Sequence, residues 1–175
     1  RCDDPVPVLT EGRVDIYGVS GEFASTPSAM PAPNPAGLEE CVFRHIRKPG
    51  QSRFDSYREN EGYAGLKRAQ EMGPVAVREL VSESGLVGRG GAGFPTGTKW
   101  TAVADATGTP KTIVCNADEG EPGCFQDRAI MDYDPHAVIE GILIAAFATG
   151  AERGIIYLRY EYPGTFKTLE RAIDE

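Results

Sequence analysis

The 175-residue chain has no long hydrophobic run. The longest, Ile142 to Ala148, falls far short of the ~18 apolar residues a membrane-spanning helix needs, so direct membrane insertion is not expected. Nor is there an excess of basic residues. Lys and Arg number 18 against 26 Asp and Glu, a formal charge of −8, which argues against nucleic-acid binding, since that requires a basic face. The four cysteines, Cys2, Cys41, Cys115 and Cys124, form no C-x-x-C pair, so the common zinc spacings are absent. Their scatter outlines no disulfide framework, and a reducing, cytoplasmic setting is the default expectation. No basic stretch followed by an apolar core opens the chain, so no secretory leader is visible. The chain starts at Arg1-Cys2 and ends at Ile173-Asp174-Glu175 inside a helical pattern without a capping glycine, so both ends read as cut from a longer polypeptide. Histidine is limited to His45, in a basic stretch that reads as surface, and His136, in the first turn of a predicted helix, where a structural role is the default.

What the chain does have is glycine, concentrated in one place. Gly88-Arg89-Gly90-Gly91-Ala92-Gly93-Phe94-Pro95-Thr96-Gly97 is followed at once by Thr98-Lys99-Trp100. Glycine lets backbone N–H groups come close to a ligand, and successive N–H groups in such a loop make a concave anion site. Arg89 and Lys99 add positive charge, and the Phe94 and Trp100 rings suit a heteroaromatic ligand. The loop therefore reads as a cradle for a phosphate-bearing cofactor. Gly88, Gly90 and Gly93 also satisfy G-x-G-x-x-G, but the dinucleotide fingerprint needs a strand before the loop and a helix after it. Here a helical pattern precedes the loop, and Pro95 and Gly97 interrupt the stretch after it, so an ordinary first Rossmann turn is disfavoured.

Around this loop the chain divides. Pro5 to Leu9 and Val14 to Tyr17 read as two short strands about a turn, and the four prolines between Ala24 and Pro35 read as an extended linker. Residues 1–23 thus form a separate unit, 24–37 a Pro-rich linker, 38–84 a helical lead-in and 85–175 the main domain. In the lead-in, Asn60 to Glu71 has helical spacing, and a second helix starts at Pro74 and stops at Ser84-Gly85. Downstream, Thr112 to Cys115 is a buried-type strand and Asn116 to Arg128 a loop. Next comes a helix capped by Asp134-Pro135, with Val138, Ile139, Ile142, Leu143 and Ala146 on its apolar face, and it stops at Gly150. Ile155 to Leu158 is a second strand, and Pro163-Gly164 opens a helix with Phe166, Leu169 and Ile173 on one side. Strand, helix, strand, helix implies a parallel βαβ unit and an α/β fold.

The second motif is Asn116-Ala117-Asp118-Glu119-Gly120-Glu121-Pro122-Gly123, at the carboxyl end of a predicted strand, where open α/β sheets bind ligands. Carboxylates there can accept hydrogen bonds from ribose hydroxyls, a carboxamide or a ring N–H, while phosphates must go to the glycine loop, Arg89 and Lys99. Asp118, Glu119, Glu121 and Asp127 could instead bind Mg²⁺ or Ca²⁺, although their spacing matches no calcium loop. A solvated acidic turn is the plain alternative. No nucleophile–base pair stands out, so the chemistry would belong to a cofactor.

The two motifs together resemble the NADH-binding flavoprotein subunit family of respiratory complex I, which includes diaphorase subunits of NAD-reducing hydrogenases and NAD-dependent formate dehydrogenases. Gly85 to Trp100 is similar to its first signature and Cys115 to Gly123 to its second. Asp127-Arg128, Pro135-His136, Ile139-Glu140-Gly141 and Tyr157 to Tyr162 continue it in order, so the resemblance spans residues 55–175. It implies a partial Rossmann-like FMN-binding domain. FMN would be held by Gly88, Arg89, Gly90, Gly91, Lys99, Asn116, Asp118 and Glu119, and Gly93 also counts among the cofactor-binding residues. NAD(H) would stack on it, with Phe94 against the adenine and Glu121 positioning the nicotinamide. Hydride would pass from NADH to FMN and single electrons onward to iron–sulfur clusters in partner subunits of an electron-transfer complex, in the cytoplasm or peripheral to a membrane complex. Residues 1–23 resemble the end of a thioredoxin-like [2Fe–2S] domain, with Cys2 as its last ligand. A [4Fe–4S] cluster would belong to the complete parent chain only. The sequence departs from the family at Thr101-Ala102, where Ser and a bulky residue are usual, and the I-C-G-E-E-T and C-x-x-C-x-x-C segments are not present. A truncated, non-catalytic docking module is the alternative reading.

Overall fold

A computed structural model of the chain describes residues 40–175, together with the backbone of two strands, β1 (Val6–Thr10) and β2 (Arg13–Tyr17). These pair antiparallel, Val6 opposite Tyr17 through Thr10 opposite Arg13, as the strand–turn–strand pattern predicts. Cys2 and the Pro-rich stretch 24–37 lie outside the described residues. The remaining elements, in order, are α1 (Phe54–Glu59), α2 (Ala64–Met72), α3 (Pro74–Glu83), α4 (Thr96–Asp105), β3 (Thr112–Ala117), α5 (Gln126–Tyr133), α6 (Pro135–Thr149), β4 (Arg153–Leu158) and α7 (Pro163–Asp174).

The organising element is α6. Pro135 fits the first turn, where its missing N–H costs nothing, and Gly150 closes the helix in the left-handed conformation (φ 71°). Its sequence, Pro135 to Thr149, is apolar nearly all round rather than along one stripe, which marks a helix surrounded by protein. Accordingly α6 touches α2, α3, α4, α5, α7, β3 and β4. On one flank Ala148 packs with Ala69 and Val77, joined by Trp100, Ile144 and Phe147. On the other, Ala117, Met131 and Leu169 pack with Val138, Ile156 and Leu158.

Strands β3 and β4 are parallel, in register from Thr112 opposite Arg153 to Ala117 opposite Leu158. This is the expected βαβ unit, its crossover made by α5 and α6. The alternation of a strand sends Ala117, Ile156 and Leu158 inward, while Val114, Ile155 and Tyr157 on the opposite face are exposed.

Four local expectations are corrected. Residues 54–59 form a helix the sequence pattern does not announce, and α2 starts only at Ala64, after positive φ at Glu61 (67°) and Tyr63 (61°) turns the chain. Second, the loop expected to run to Arg128 ends at Phe125, and Gln126–Tyr133 is a helix whose first turn is capped by a carboxylate of the acidic motif. A third concerns α4, which begins directly after Pro95 and carries Gly97 inside it. Pro95 sits outside the first turn with extended ψ (124°), so it does not break the helix. Finally, α7 buries Thr165, Leu169 and Ala172, which leaves Phe166 and Ile173 exposed.

Candidate functional site

The glycine segment is a hairpin-shaped loop standing between two helices. Its neck is closed by two backbone hydrogen bonds, Gly88 N–H to the Phe94 carbonyl (2.8 Å) and Thr96 N–H to the Leu86 carbonyl (2.9 Å). Val87 and Pro95 bridge antiparallel at the same point. Gly91 (φ 102°) and Gly93 (φ 60°) lie where side chains are strained, so the turn itself requires glycine there. The base is fixed by α3 packing on α4. A Cβ at Gly97 would lie 2.1 Å from Ser82 Oγ and 2.6 Å from its Cα, so only glycine permits that approach.

Gly88 and Gly90 are different, and they test the fit to a bound cofactor. Neither has positive φ. A Cβ at Gly88 would meet only ordinary contacts, 3.6 Å to the Phe94 carbonyl, and one at Gly90 would meet nothing within 4 Å. The chain itself has no need of glycine at these two positions, and a side chain at Gly90 would enter space that no other part of the described chain occupies. Lys99, on the first turn of α4, reaches back to it. Its Nζ is 5.9 Å from the Phe94 ring centroid and about 4.0 Å from where a Gly88 Cβ would stand. Phe94, at the loop neck, is 49% exposed. Arg89 is exposed and makes no hydrogen bond or ion pair among the described residues. Open backbone, two cations and an exposed ring suit a phosphate-bearing heteroaromatic group. Trp100 does not join them: it packs against Ala69, Val77 and Ala148 in the core, which corrects its expected place beside the ligand.

The acidic motif starts at the carboxyl end of β3. Asn116 is exposed, and its Oδ1 accepts the Asp118 N–H (3.2 Å), which bends the chain out of the strand. Asp118 and Glu121 are exposed, with carboxylates that make no hydrogen bond or ion pair among the described residues. Glu119 is buried, 4% exposed. Its carboxylate accepts the N–H groups of Asp127 (3.0 Å) and Arg128 (3.3 Å), the otherwise orphaned donors at the start of α5. This contact explains why residues 126–133 are helical, and capping across seven intervening residues leaves no local sequence signal. Burial, and then the neighbouring Glu119 charge, push the Asp127 carboxyl above the usual range. Arg159, just after β4, donates to the Glu119 carbonyl and is held by Glu161 through Nε (3.0 Å) and Nη2 (2.7 Å). Among the described residues no hydrogen bond or ion pair joins the glycine loop to the acidic loop, and no group of three or more His, Cys, Asp or Glu converges as a metal site.

Residues 81–175, just over half of the chain, match the family described as Nuo51 FMN-binding domain. The chain belongs to this family. The match spans both loops, β3, β4 and the helices between them. An NADH-quinone oxidoreductase subunit of Rhizobium meliloti (strain 1021) is 48% identical over 139 residues, 79% of this chain and 33% of the relative. The NAD-reducing hydrogenase HoxS subunit alpha of Cupriavidus necator is 38% identical over 175 residues, all of this chain and 28% of the relative. Among solved structures, an NAD⁺-reducing [NiFe]-hydrogenase in the air-oxidised state aligns with a TM-score of 0.62 at 35% identity, covering 78% of this chain and 22% of that one. The chain thus spans a third or less of the length of these curated relatives. It is a partial α/β domain of the FMN-binding type, from a family whose named relatives are oxidoreductase subunits.

No local sequence pattern marks the Glu119 cap or the part played by Arg159. The only signal for either was the place of Arg159 in the Tyr157 to Tyr162 segment, where it reads as family pattern rather than as a site residue.

Proposed function

We propose that this chain is the flavin-holding part of an NADH-oxidising module in a larger electron-transfer complex. The observation that carries the reading is the open, side-chain-free backbone at Gly88 and Gly90, on the same short loop as Arg89 and the exposed Phe94 ring and within reach of Lys99. FMN, when bound, supplies a two-electron hydride acceptor that releases electrons one at a time. The chain's own residues bind and orient. Loop N–H groups with Arg89 and Lys99 hold phosphate, the exposed Phe94 ring stacks on an adenine, and Asn116, Asp118 and Glu121 present acceptors to ring N–H, ribose or carboxamide groups. Glu121 is assigned to the nicotinamide end. Delivery of electrons to iron–sulfur clusters in partner subunits, a [2Fe–2S] ligand role for Cys2, a [4Fe–4S] cluster in the parent chain and a cytoplasmic setting complete the reading. The HoxS alpha relative aligns with the whole chain, including residues 1–39, which supports an arrangement of the hydrogenase diaphorase type, or its formate dehydrogenase counterpart, over that of a separate complex I subunit.

The test separates ligand binding from folding. In Gly90→Ala the apo-protein keeps its stability within about 0.5 kcal/mol, or gains slightly from a less flexible unfolded chain. Its affinity for FMN falls at least about tenfold, since the methyl occupies ligand space. Flavin absorbance, its bleaching by NADH and ferricyanide reduction are measured in the intact protein. A colourless, inactive parent protein that still assembles with its partner subunits would establish the docking-module reading instead.

A further inference from the structure

The carboxylates of the acidic loop are not used alike. Asp118 and Glu121 are exposed and make no hydrogen bond or ion pair among the described residues, although the Asp118 charge lies within electrostatic reach of Arg159, whereas Glu119 between them is buried and turned away, onto the first N–H groups of α5. A carboxylate there satisfies orphan donors and meets the positive end of the helix dipole. The carbonyl of the same residue takes the Arg159 hydrogen bond. Arg159 cannot swing freely: Glu161 grips it at two points, and its guanidinium lies 5.5 Å from the Tyr162 ring centroid, with Arg128 5.1 Å from the same centroid. One residue thus ties the middle of the loop to α5 by its side chain and to the end of β4 by its backbone.

We propose that Glu119 and Arg159 are positioning residues, a two-point brace that fixes the acidic loop so that Asp118 and Glu121 present their carboxylates to the ligand. The proposal rests on the flavin-site reading. It assigns Glu119 a part different from direct cofactor contact through its carboxylate. Residues 118–125 have no regular structure and include Gly120 and Gly123, the latter at φ 83°. Without the brace, ligand binding itself would have to order them, and that ordering appears as lost affinity rather than as lost chemistry.

The experiment uses the intact protein, stripped of flavin and titrated with FMN, in unmodified, Glu119→Gln, Arg159→Met and Arg159→Lys forms. Glutamine turns an amide N–H₂ toward one of the two helix donors. The expected result is FMN affinity about tenfold weaker for Glu119→Gln and Arg159→Met, the scale of one hydrogen bond to a charged group. Amide exchange at Asp127 and Arg128 accelerates in Glu119→Gln. In Arg159→Met the loss falls on the half-saturating FMN concentration and not on turnover at saturating FMN, and Arg159→Lys recovers part of it, since an ammonium can still donate to the Glu119 carbonyl. Unchanged affinity in both variants, with thermal stability alone lowered, overturns the proposal and leaves a helix cap. Turnover abolished at saturating FMN in Arg159→Met overturns it the other way, in favour of direct contact with reacting groups. An unmodified protein that binds no FMN overturns the flavin-site reading itself, an outcome distinct from either.

Discussion

Glu140 shows how one side chain can hold a segment in place. It lies on α6 one turn after His136, buried, and its carboxylate accepts the Tyr57 hydroxyl, the Tyr63 N–H (2.9 Å) and the Leu66 N–H (2.9 Å). Burial, reinforced by the Glu140 hydrogen bond, pushes the Tyr57 hydroxyl well above its usual pKa, so it remains a donor. Three donors converge on two oxygens, and an amide cannot accept on both sides. Glu140→Gln is expected to cost about 1–3 kcal/mol, the cost of a stranded buried donor, measured as a lower denaturant midpoint at constant slope. Asp134 gives the opposite case. It is buried and accepts Gln51 Nε2 (3.1 Å), yet burial raises its carboxyl above the usual value of 3.8. A raised carboxyl pKa means the folded state binds more protons than the unfolded one, so its contribution is favourable at acid pH and is lost as pH rises above 3.8. Asp134→Asn keeps the acceptor and removes the charge. The variant is expected to match the unmodified protein well below pH 3.8 and to gain on it as pH rises above that value, levelling off once the folded-state carboxyl is ionised, read from denaturation midpoints across pH.

At the scale of elements, α3 and α4 meet at one point that decides the geometry of the glycine loop. Gly97 lies against the Ser82 backbone, and the loop leaves α3 and enters α4 within a few residues of that contact. Gly97→Ala must push the helices apart, with an expected loss of about 1–3 kcal/mol and weakened FMN binding as the loop base moves. The contrast with Gly90→Ala, which spares the fold, is measurable by comparing melting and flavin titration in the two variants. Elements with local punctuation were legible: Pro74 and Gly73 bracket α2 and α3, Pro135 and Gly150 bound α6, and the two β-type runs became the parallel pair. Those set by distant partners were not. Nothing near Gln126 announces α5, because its cap comes from Glu119, and nothing within α7 reveals that Thr165 rather than Phe166 faces inward, toward Asp132 (2.6 Å). The candidate site follows the same rule. Its glycines and exposed charges form contiguous motifs that can be read directly, while the brace behind them joins residues 40 positions apart.

For the molecule as a whole, the seam expected at residues 84–85 carries many bonds. The family match begins only at residue 81, yet the preceding segment is tied to α6 and α7 throughout. Gln51 donates to Asp134, Tyr57 to Glu140, Phe54 N–H to Glu175 (2.9 Å) and Arg171 to the Ser52 carbonyl (3.1 Å). His136, fully buried, pairs through Nδ1 with the Tyr63 hydroxyl (3.1 Å) and through Nε2 with Glu175 (3.3 Å), and it stacks on Tyr57 with ring centroids 5.5 Å apart. Cutting at the motif boundary would strip Asp134 of Gln51, His136 of Tyr57 and Tyr63, and Glu140 of all three donors, and would remove Ala69 and Val77 from the core beside Ala148. The polar losses alone, at about 1 kcal/mol for each net hydrogen bond, approach the 5–15 kcal/mol that ordinarily holds a domain together. A fragment of residues 81–175 is therefore expected to lack a cooperative thermal transition, whereas a fragment of residues 40–175 should melt as sharply as the 175-residue chain, both followed by circular dichroism. A cooperative transition in the shorter fragment would mean that the lead-in only decorates a domain that stands without it. Its absence would make residues 40–80 part of the scaffold that fixes α6, and through α6 both candidate ligand loops.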